Sequence, residues 1–273
     1  MTSGKQIINR FEDFAPLSLA WERDPSGLQL GNPDKPVKTV LVTLDVRPEV
    51  VTEAEAIHAD MIFSHHPAMF RPVHNLDLRV PQNAMYAQIL KDDLLVYAAH
   101  TNLDRVQDGM NDWLAEALGL SQVVPFINEG EGANMGRIGL LPDKIRLEAF
   151  VEQVKAAYNV KGLRVVARDL DRLVQKVAIL GGDGGDAFND AKQAGADVFI
   201  TGDVYYHTGH DMLAADLPVI DPGHHIESIM KGKVATLINE WADAEGWDVK
   251  AIPSKLSTDP FTFCLLYTSD AAD

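Results

Sequence analysis

Two consecutive histidines, His65 and His66, end the apolar stretch "MIFSHHPAMF" and are followed at once by Pro67. Imidazole exchanges protons near neutral pH and is a common metal ligand. Successive side chains of a strand project to opposite faces, so one ion cannot easily take both rings from an ideal strand. At a strand end that turns, each ring can reach a different ion. The pair therefore suits a dinuclear metal site.

Other metal-capable side chains also follow apolar segments, where open α/β sheets collect their ligands. They are Asp45 after "VLVTL", His100 and Asp104 in "AAHTNLD", and His224 with Glu227 in "DPGHHIES". The last two lie three residues apart at the start of a predicted helix, so they can share one face. Histidine and carboxylate ligands without thiolate suit Zn²⁺, Mn²⁺, Fe²⁺ or Co²⁺. Together these motifs favour a metal site.

Other catalytic motifs have little support. The glycine-rich segment "AILGGDGGD" (178–186) lacks the Lys-Ser/Thr of a phosphate-binding loop and the spacing of a dinucleotide fingerprint. We expect it to be a tight strand-to-helix turn that requires positive φ. No G-x-S-x-G is present, and the single cysteine, Cys264, follows the last predicted strand. A serine or cysteine nucleophile is therefore disfavoured.

Predicted strands and helices alternate along the chain, as in βαβ units on a largely parallel sheet. In the first run we predict strands at 37–45, 59–67 and 94–104 and helices at 47–59, 83–93 and 109–120. A glycine-rich loop at 128–139 then marks a boundary. The second run has helices at 145–158, 186–195 and 226–246 and strands at 163–168, 176–182, 196–203 and 248–254. The pattern predicts an α/β protein.

Composition narrows the functional classes. The chain has 273 residues, 46% of them hydrophobic, with 40 Asp and Glu against 24 Lys and Arg and a formal net charge of -16. Such a charge disfavours a broad nucleic-acid or anionic-membrane surface. No run of about 18 apolar residues predicts a membrane span, and the first residues lack the apolar run of a signal peptide. We expect a cytoplasmic protein.

The chain resembles the GTP cyclohydrolase 1 type 2 homologue family, dinuclear-metal proteins that include NGG-interacting-factor-like relatives. The resemblance covers nearly the whole chain. It rests on "DPSGLQLG" (24–31), "TLD" (43–45), "SHHP" (64–67), "YAAHTNLD" (97–104), "GMNDWLAEALGL" (109–120), "GRIG" (136–139), "GGDGGD" (181–186), "ITGDVYYH" (200–207), "DPGHHIE" (221–227) and "DPFTF" (259–263).

The resemblance implies a ligand set and an architecture. Its two metal ions would be bound by His65, His66, Asp104, His224 and Glu227, with the neighbouring His225 leaving open which imidazole points inward. Two α/β lobes are implied, the first completed by the C-terminal helix and strand. We predict lobes at 1–127 plus 218–263 and at 128–217, with a tail at 264–273. The resemblance also implies a homohexamer whose metal sites face an inner cavity; this chain is too short for the domain that some members insert.

The leading functional hypothesis is a metal-dependent hydrolase in which His100 or His207 carries protons. The family name implies GTP as the substrate, opened at purine C8 with loss of formate, and another nucleotide or a phosphate ester is an alternative. Two other classes stay open: a metal-handling or metal-insertion protein, and a ring-shaped interaction scaffold.

Overall fold

Two β-sheets carry the candidate residues. The computed structural model describes residues 1–128, 130 and 134–264. Its strands are β1 (Gly27–Leu30), β2 (Thr39–Thr43), β3 (Met61–Ser64), β4 (Leu95–Ala98), β5 (Ser121–Val124), β6 (Ile127–Asn128), β7 (Asn134–Met135), β8 (Arg137–Arg146), β9 (Arg164–Val166), β10 (Leu173–Ile179), β11 (Val198–Ile200), β12 (Val219–Asp221) and β13 (Lys250–Pro253).

Helices cover the sheets and connect their strands. They are α1 (Gly4–Phe14), α2 (Pro48–Ala56), α3 (Pro81–Lys91), α4 (Thr101–Arg105), α5 (Met110–Ala117), α6 (Leu147–Tyr158), α7 (Phe188–Gln193), α8 (Tyr206–Ala214) and α9 (Met230–Glu245). Three short 3₁₀ helices at Leu17–Leu19, Gly185–Ala187 and His224–Ile229 occur in the same described part of the chain. No helix in these ranges is both long and apolar enough to cross a membrane.

The first sheet has the strand order β1-β4-β3-β2-β13. Strands β13, β2, β3 and β4 are parallel, and β1 runs antiparallel to β4 at the edge. In the register of the three central strands, Thr43 pairs with Ser64 and Ser64 with Ala98. The carboxyl ends of β2, β3 and β4 therefore meet at one edge. The residues that follow them must lie close together.

The second sheet has the order β5-β8-β10-β11-β12-β9. Its centre, β10-β11-β12, is parallel, whereas β8 and β9 run antiparallel to their neighbours. One buried core cluster includes Val42 and Phe63 of the first sheet and Val177 and Ile200 of the second. The α/β class predicted from the sequence is confirmed, with a mixed rather than largely parallel second sheet.

Some elements differ from the sequence prediction near the proposed lobe boundaries. Strands β5 and β12 belong to the second sheet, although the predicted first lobe contained both. Strand β12 has only three residues between two prolines, too short a run for its pattern to show. Residues 137–146 form β8, where we predicted a loop and then a helix; the pairing with β10 is irregular around Pro142, which cannot donate a ladder hydrogen bond.

Two predicted segments lie partly outside the described residues. They are the boundary loop, of which 129 and 131–133 are outside, and the tail, of which only Cys264 is described. The lobe boundaries as such stay a prediction.

Gly31 follows β1 and lies against the backbone at the start of β4. Its φ is +89°, and a Cβ there would lie 2.4 Å from the carbonyl oxygen of Leu94. Gly119 also has positive φ, +66°, but a Cβ would meet nothing within 4 Å. We expect Gly31→Ala to lower the free energy of unfolding by about 3 kcal/mol and Gly119→Ala by about 1 kcal/mol. Urea denaturation measures both, and equal losses would contradict the close contact.

Candidate metal centre

The carboxyl edge of the first sheet positions most of the candidate ligands. His65 and His66 follow β3 directly, Asp45 lies two residues beyond β2, and His100 lies two residues beyond β4. Backbone hydrogen bonds from the two histidines to the carbonyl oxygens of residues 43 and 44 extend the pairing past the strand end. Asp104 comes from α4, a short helix at the end of the segment 94–104 that we predicted as a strand.

The second sheet supplies the remaining ligands through the 3₁₀ helix after β12. Side chains three residues apart eclipse one another in a 3₁₀ helix. His224 Nε2 accordingly lies 3.2 Å from Glu227 Oε2. His225 is half-buried, and within the described residues it belongs to none of the groups able to hold a metal. The structure thus places His224, not His225, in the cluster.

The four imidazoles of the cluster share one orientation. In each ring, Nδ1 lies 2.7 Å from an oxygen acceptor: Ala99 O for His65, Asp45 Oδ1 for His66, Asp24 Oδ1 for His100 and Asp203 Oδ2 for His224. Carbonyl and carboxylate oxygens accept, so each Nδ1 carries a proton and Nε2 is the atom left to face the cluster, where a neutral ring presents its lone pair. This arrangement of outer carboxylates and carbonyls is the one that orients metal-binding histidines.

The inward-facing atoms converge on one carboxylate. Glu227 Oε2 lies 3.1 Å from His66 Nε2 and 3.7 Å from His65 Nε2, in addition to its contact with His224. Asp104 Oδ1 is 3.5 Å from His65 Nε2. Two sets of three ligand atoms, each within 4.8 Å of one another, share Glu227: one contains His66 and His224, the other His65 and Asp104. The geometry offers two adjacent three-ligand positions with a common carboxylate.

The polar atoms at the centre are of the types that bind metal ions. His65 Nε2 and Asp104 Oδ1 are buried and have no hydrogen-bond partner among the described residues. A buried polar atom without a partner is costly, and these two lie 3.5 Å apart beside Glu227, where an ion could be bound by both. Burial and the neighbouring charge of Glu227 also raise the pKa of Asp104 well above its usual value. A divalent cation between these atoms would bind the unpaired nitrogen and oxygen and would offset the repulsion between Asp104 and Glu227.

Burial and charge set the protonation of the histidines in opposite directions. Burial lowers the pKa of His65 to about 3, so this ring is neutral at pH 7 and ready to bind a cation. Burial opposes the charge on His66 and His224 as well, but carboxylate partners outweigh it. The pKa of His66 is raised to about 10 by Asp45 and Glu227, and that of His224 to about 9 by Glu227 and Asp203.

The metal-free protein should lose stability as pH rises. The folded pKa values of His66 and His224 lie above the ordinary value of 6.5. Stabilisation by their protonated rings is therefore complete below pH 6.5 and is lost as pH rises through 9 to 10. We expect the free energy of unfolding of chelator-treated protein to fall between pH 6.5 and 9.5, and to fall less in His66→Gln. Urea denaturation across that range measures this; a flat or rising profile would contradict it.

The two proton-carrier candidates occupy different places. The ring centroid of His100 lies 5.2 Å from that of His65 and 5.7 Å from that of His66, and His100 shares a possible three-histidine group with them. His207 is exposed near the start of α8, where its ring packs against Tyr206. The structure brings His100 into the cluster and does not bring His207 there.

Two aspartates that were not among the predicted site residues accept hydrogen bonds from the rings of His100 and His224. Asp24 accepts from His100 and from the hydroxyls of Thr101 and Ser26, which lower its pKa although burial opposes this. Asp203, with φ of +53°, accepts from His224. Both lie in segments quoted for the family resemblance, but neither follows a pattern of metal ligands. The sequence feature that could have identified them is an acidic residue near a predicted turn or at the end of a predicted strand.

The glycine-rich turn after β10 packs directly against Glu227. Gly182 has the predicted positive φ, +65°. A Cβ would lie 3.0 Å from Glu227 Oε1 at Gly181 and 2.9 Å from it at Gly182. Glycine is needed here for close approach as well as for the turn.

Asp203 should control metal affinity through His224. Asp203→Asn keeps the shape of the side chain but removes the charge that orients and polarises the ring, so we expect metal affinity to fall by about 10- to 100-fold. Competition with a chromogenic chelator measures the affinity. Asp211→Asn, at an exposed position on α8, is the matched control and should leave affinity unchanged. Equal affinities in both variants would show that the hydrogen bond is not used.

The fold and the cluster define an α/β protein with a histidine and carboxylate site able to hold metal ions. The family model for DUF34/NIF3 (NGG1p interacting factor 3) matches residues 2–260. The chain belongs to this family.

Relatives match along nearly their full length. A protein of Streptococcus pneumoniae called GTP cyclohydrolase 1 type 2 homolog is 40% identical over 259 residues, covering 94% of this chain and 97% of that one. A Lactococcus lactis protein of the same name is 38% identical, covering 92% and 95%. The crystal structure of a Bacillus cereus protein related to NIF3 superposes with a TM-score of 0.92 at 32% identity, covering 96% and 99%.

Proposed function

We propose that this protein is a metal-dependent hydrolase that uses two divalent ions in the cluster around Glu227. The observation that carries the proposal is the common orientation of the four imidazoles, whose Nδ1 atoms are all held from outside. The buried Nε2 of His65 and Oδ1 of Asp104, which have no partner among the described residues, support it further. A structural ion pair alone would not leave these atoms unbonded.

Each residue of the cluster has a proposed role. His65 and Asp104 would hold one ion, His66 and His224 the other, and Glu227 both. Zn²⁺, Mn²⁺, Fe²⁺ and Co²⁺ all suit this set of nitrogen and oxygen ligands. Two such ions supply an activated water and polarise the bond that it attacks.

His100 is the residue proposed to move a proton. Its Nδ1 donates to Asp24, and the lowered pKa of Asp24 keeps that carboxylate ionised. Nε2 can then accept or return a proton on the side of the cluster. His207 has no comparable support, since its described ring contact is with Tyr206 on the surface.

For the substrate we propose a nucleotide or a related small molecule. The name GTP cyclohydrolase 1 type 2 homolog, printed for the relatives, supports a purine nucleotide opened with loss of formate. A two-ion site is equally suited to a phosphate ester. The homohexamer implied by the resemblance remains a prediction, which light scattering of the purified protein would test.

The metal content of variants shows which of the adjacent residues His224 and His225 is the ligand. We expect two divalent ions per chain in the parent protein and no more than one in His224→Gln, because this change removes one of three ligands from its position. His225→Gln is the matched control and should keep both ions. Elemental analysis after gel filtration measures the content. Loss of metal in His225→Gln but not in His224→Gln would reverse the assignment.

A hydrolysis screen tests the activity itself. Protein reconstituted separately with Zn²⁺, Mn²⁺ and Fe²⁺ is offered nucleotides and phosphate esters, and mass spectrometry separates formate loss from phosphate loss. We expect turnover with at least one ion, and its loss in His66→Gln. If the folded protein binds its ions but turns over nothing and passes them rapidly to an acceptor protein, a metal-handling role replaces the hydrolase. Slow exchange without turnover would favour a scaffold.

A further inference from the structure

A cavity of about 500 Å³ opens beside the cluster and shares two residues with it, Asp45 and His66. Its volume lies within the range of pockets that bind small organic ligands. The other walls come from the start of α2, from the segment between β3 and α3, and from the first turns of α3, and they include Arg47, Phe70 and Arg71. A molecule bound there would reach the His66 side of the cluster.

The cavity is cationic although the whole chain carries a formal charge of -16. Arg47 and Arg71 are exposed, and within the described residues neither guanidinium group forms a hydrogen bond or an ion pair. His74 lies in the same wall. Asp45 is the acid in the lining, and its oxygens are taken by His66 and by the hydroxyl of Thr258. Two unpaired guanidinium groups in an acidic protein indicate an anionic ligand, and their forked donors suit phosphate.

Phe70 adds an apolar surface to the lining, beside His100 of the cluster. The residue is 62% exposed. The ring meets His100 edge to face, with centroids 6.1 Å apart and planes at 87°. A planar ligand ring could stack on the face of Phe70 that the protein leaves uncovered.

We propose that this cavity binds an organic phosphate of nucleotide size, with Arg47 and Arg71 holding the phosphate and Phe70 stacking on a planar ring. The role of this ligand as substrate rests on the proposed hydrolase function, whereas its binding does not. His66 and Asp45, shared by cavity and cluster, connect the bound molecule to the ions.

Three probes separate binding of the phosphate by the arginines from stacking of the base on Phe70: guanosine 5′-monophosphate, guanosine and ribose 5-phosphate. Equilibrium dialysis against the full-length protein with its ions, read by mass spectrometry, gives the affinity for each intact compound. We expect the monophosphate to bind tightest. Arg47→Gln and Arg71→Gln should each weaken both phosphates about tenfold and leave guanosine unchanged. Phe70→Leu should weaken the two guanine compounds and spare ribose 5-phosphate.

Controls exclude effects of charge and of metal loss. Arg146→Gln removes the same charge from an exposed position on β8 and should change no affinity. Metal content should be equal in all variants, so phosphate bound only to the ions would persist when the arginines are changed. Affinity of the Arg47→Gln/Arg71→Gln double variant within twofold of the parent would overturn the inference. Failure of the hydrolase proposal would look different: no turnover, with phosphate binding still dependent on both arginines.

Discussion

The buried carboxylate of Glu227 is the group on which the site depends. Its residue is 2% exposed, and its Oε2 lies within 3.7 Å of the Nε2 atoms of three histidines. A buried charge is tolerated only when other charges or hydrogen bonds compensate it. The rings of His66 and His224 provide that compensation in the metal-free protein, and we propose that metal ions provide it in the working one.

This requirement ties the two sheets together. His65 and His66 stand at the end of β3 in the first sheet, whereas Glu227 and His224 follow β12 in the second. The cluster can form only when both sheets are packed, and the shared core supplies the apolar burial that keeps them so. Metal binding would therefore be linked to folding, since the ligands meet only in the native state.

The two positions around Glu227 differ in their surroundings. The side chain of His65 is fully buried and that of Asp104 nearly so, at 0% and 11% exposure, whereas those of His66 and His224 are 22% and 36% exposed. The cationic cavity opens on the His66 side. Chemistry on a bound molecule would thus take place at the more open position, with the buried position holding its ligands more rigidly.

Local patterns determined much of this protein by themselves. Apolar runs ending in His, Asp or Glu indicated both the α/β class and the groups at strand ends, because side-chain chemistry and strand termination are local properties. The choice of His224 over His225, the approach of Gly181 and Gly182 to Glu227, and the outer roles of Asp24 and Asp203 required the tertiary structure. So did the pairing of β12 with the second sheet and the convergence of Arg47, Phe70 and Arg71 on one cavity. These features depend on distances between segments far apart in the chain, which only packing fixes.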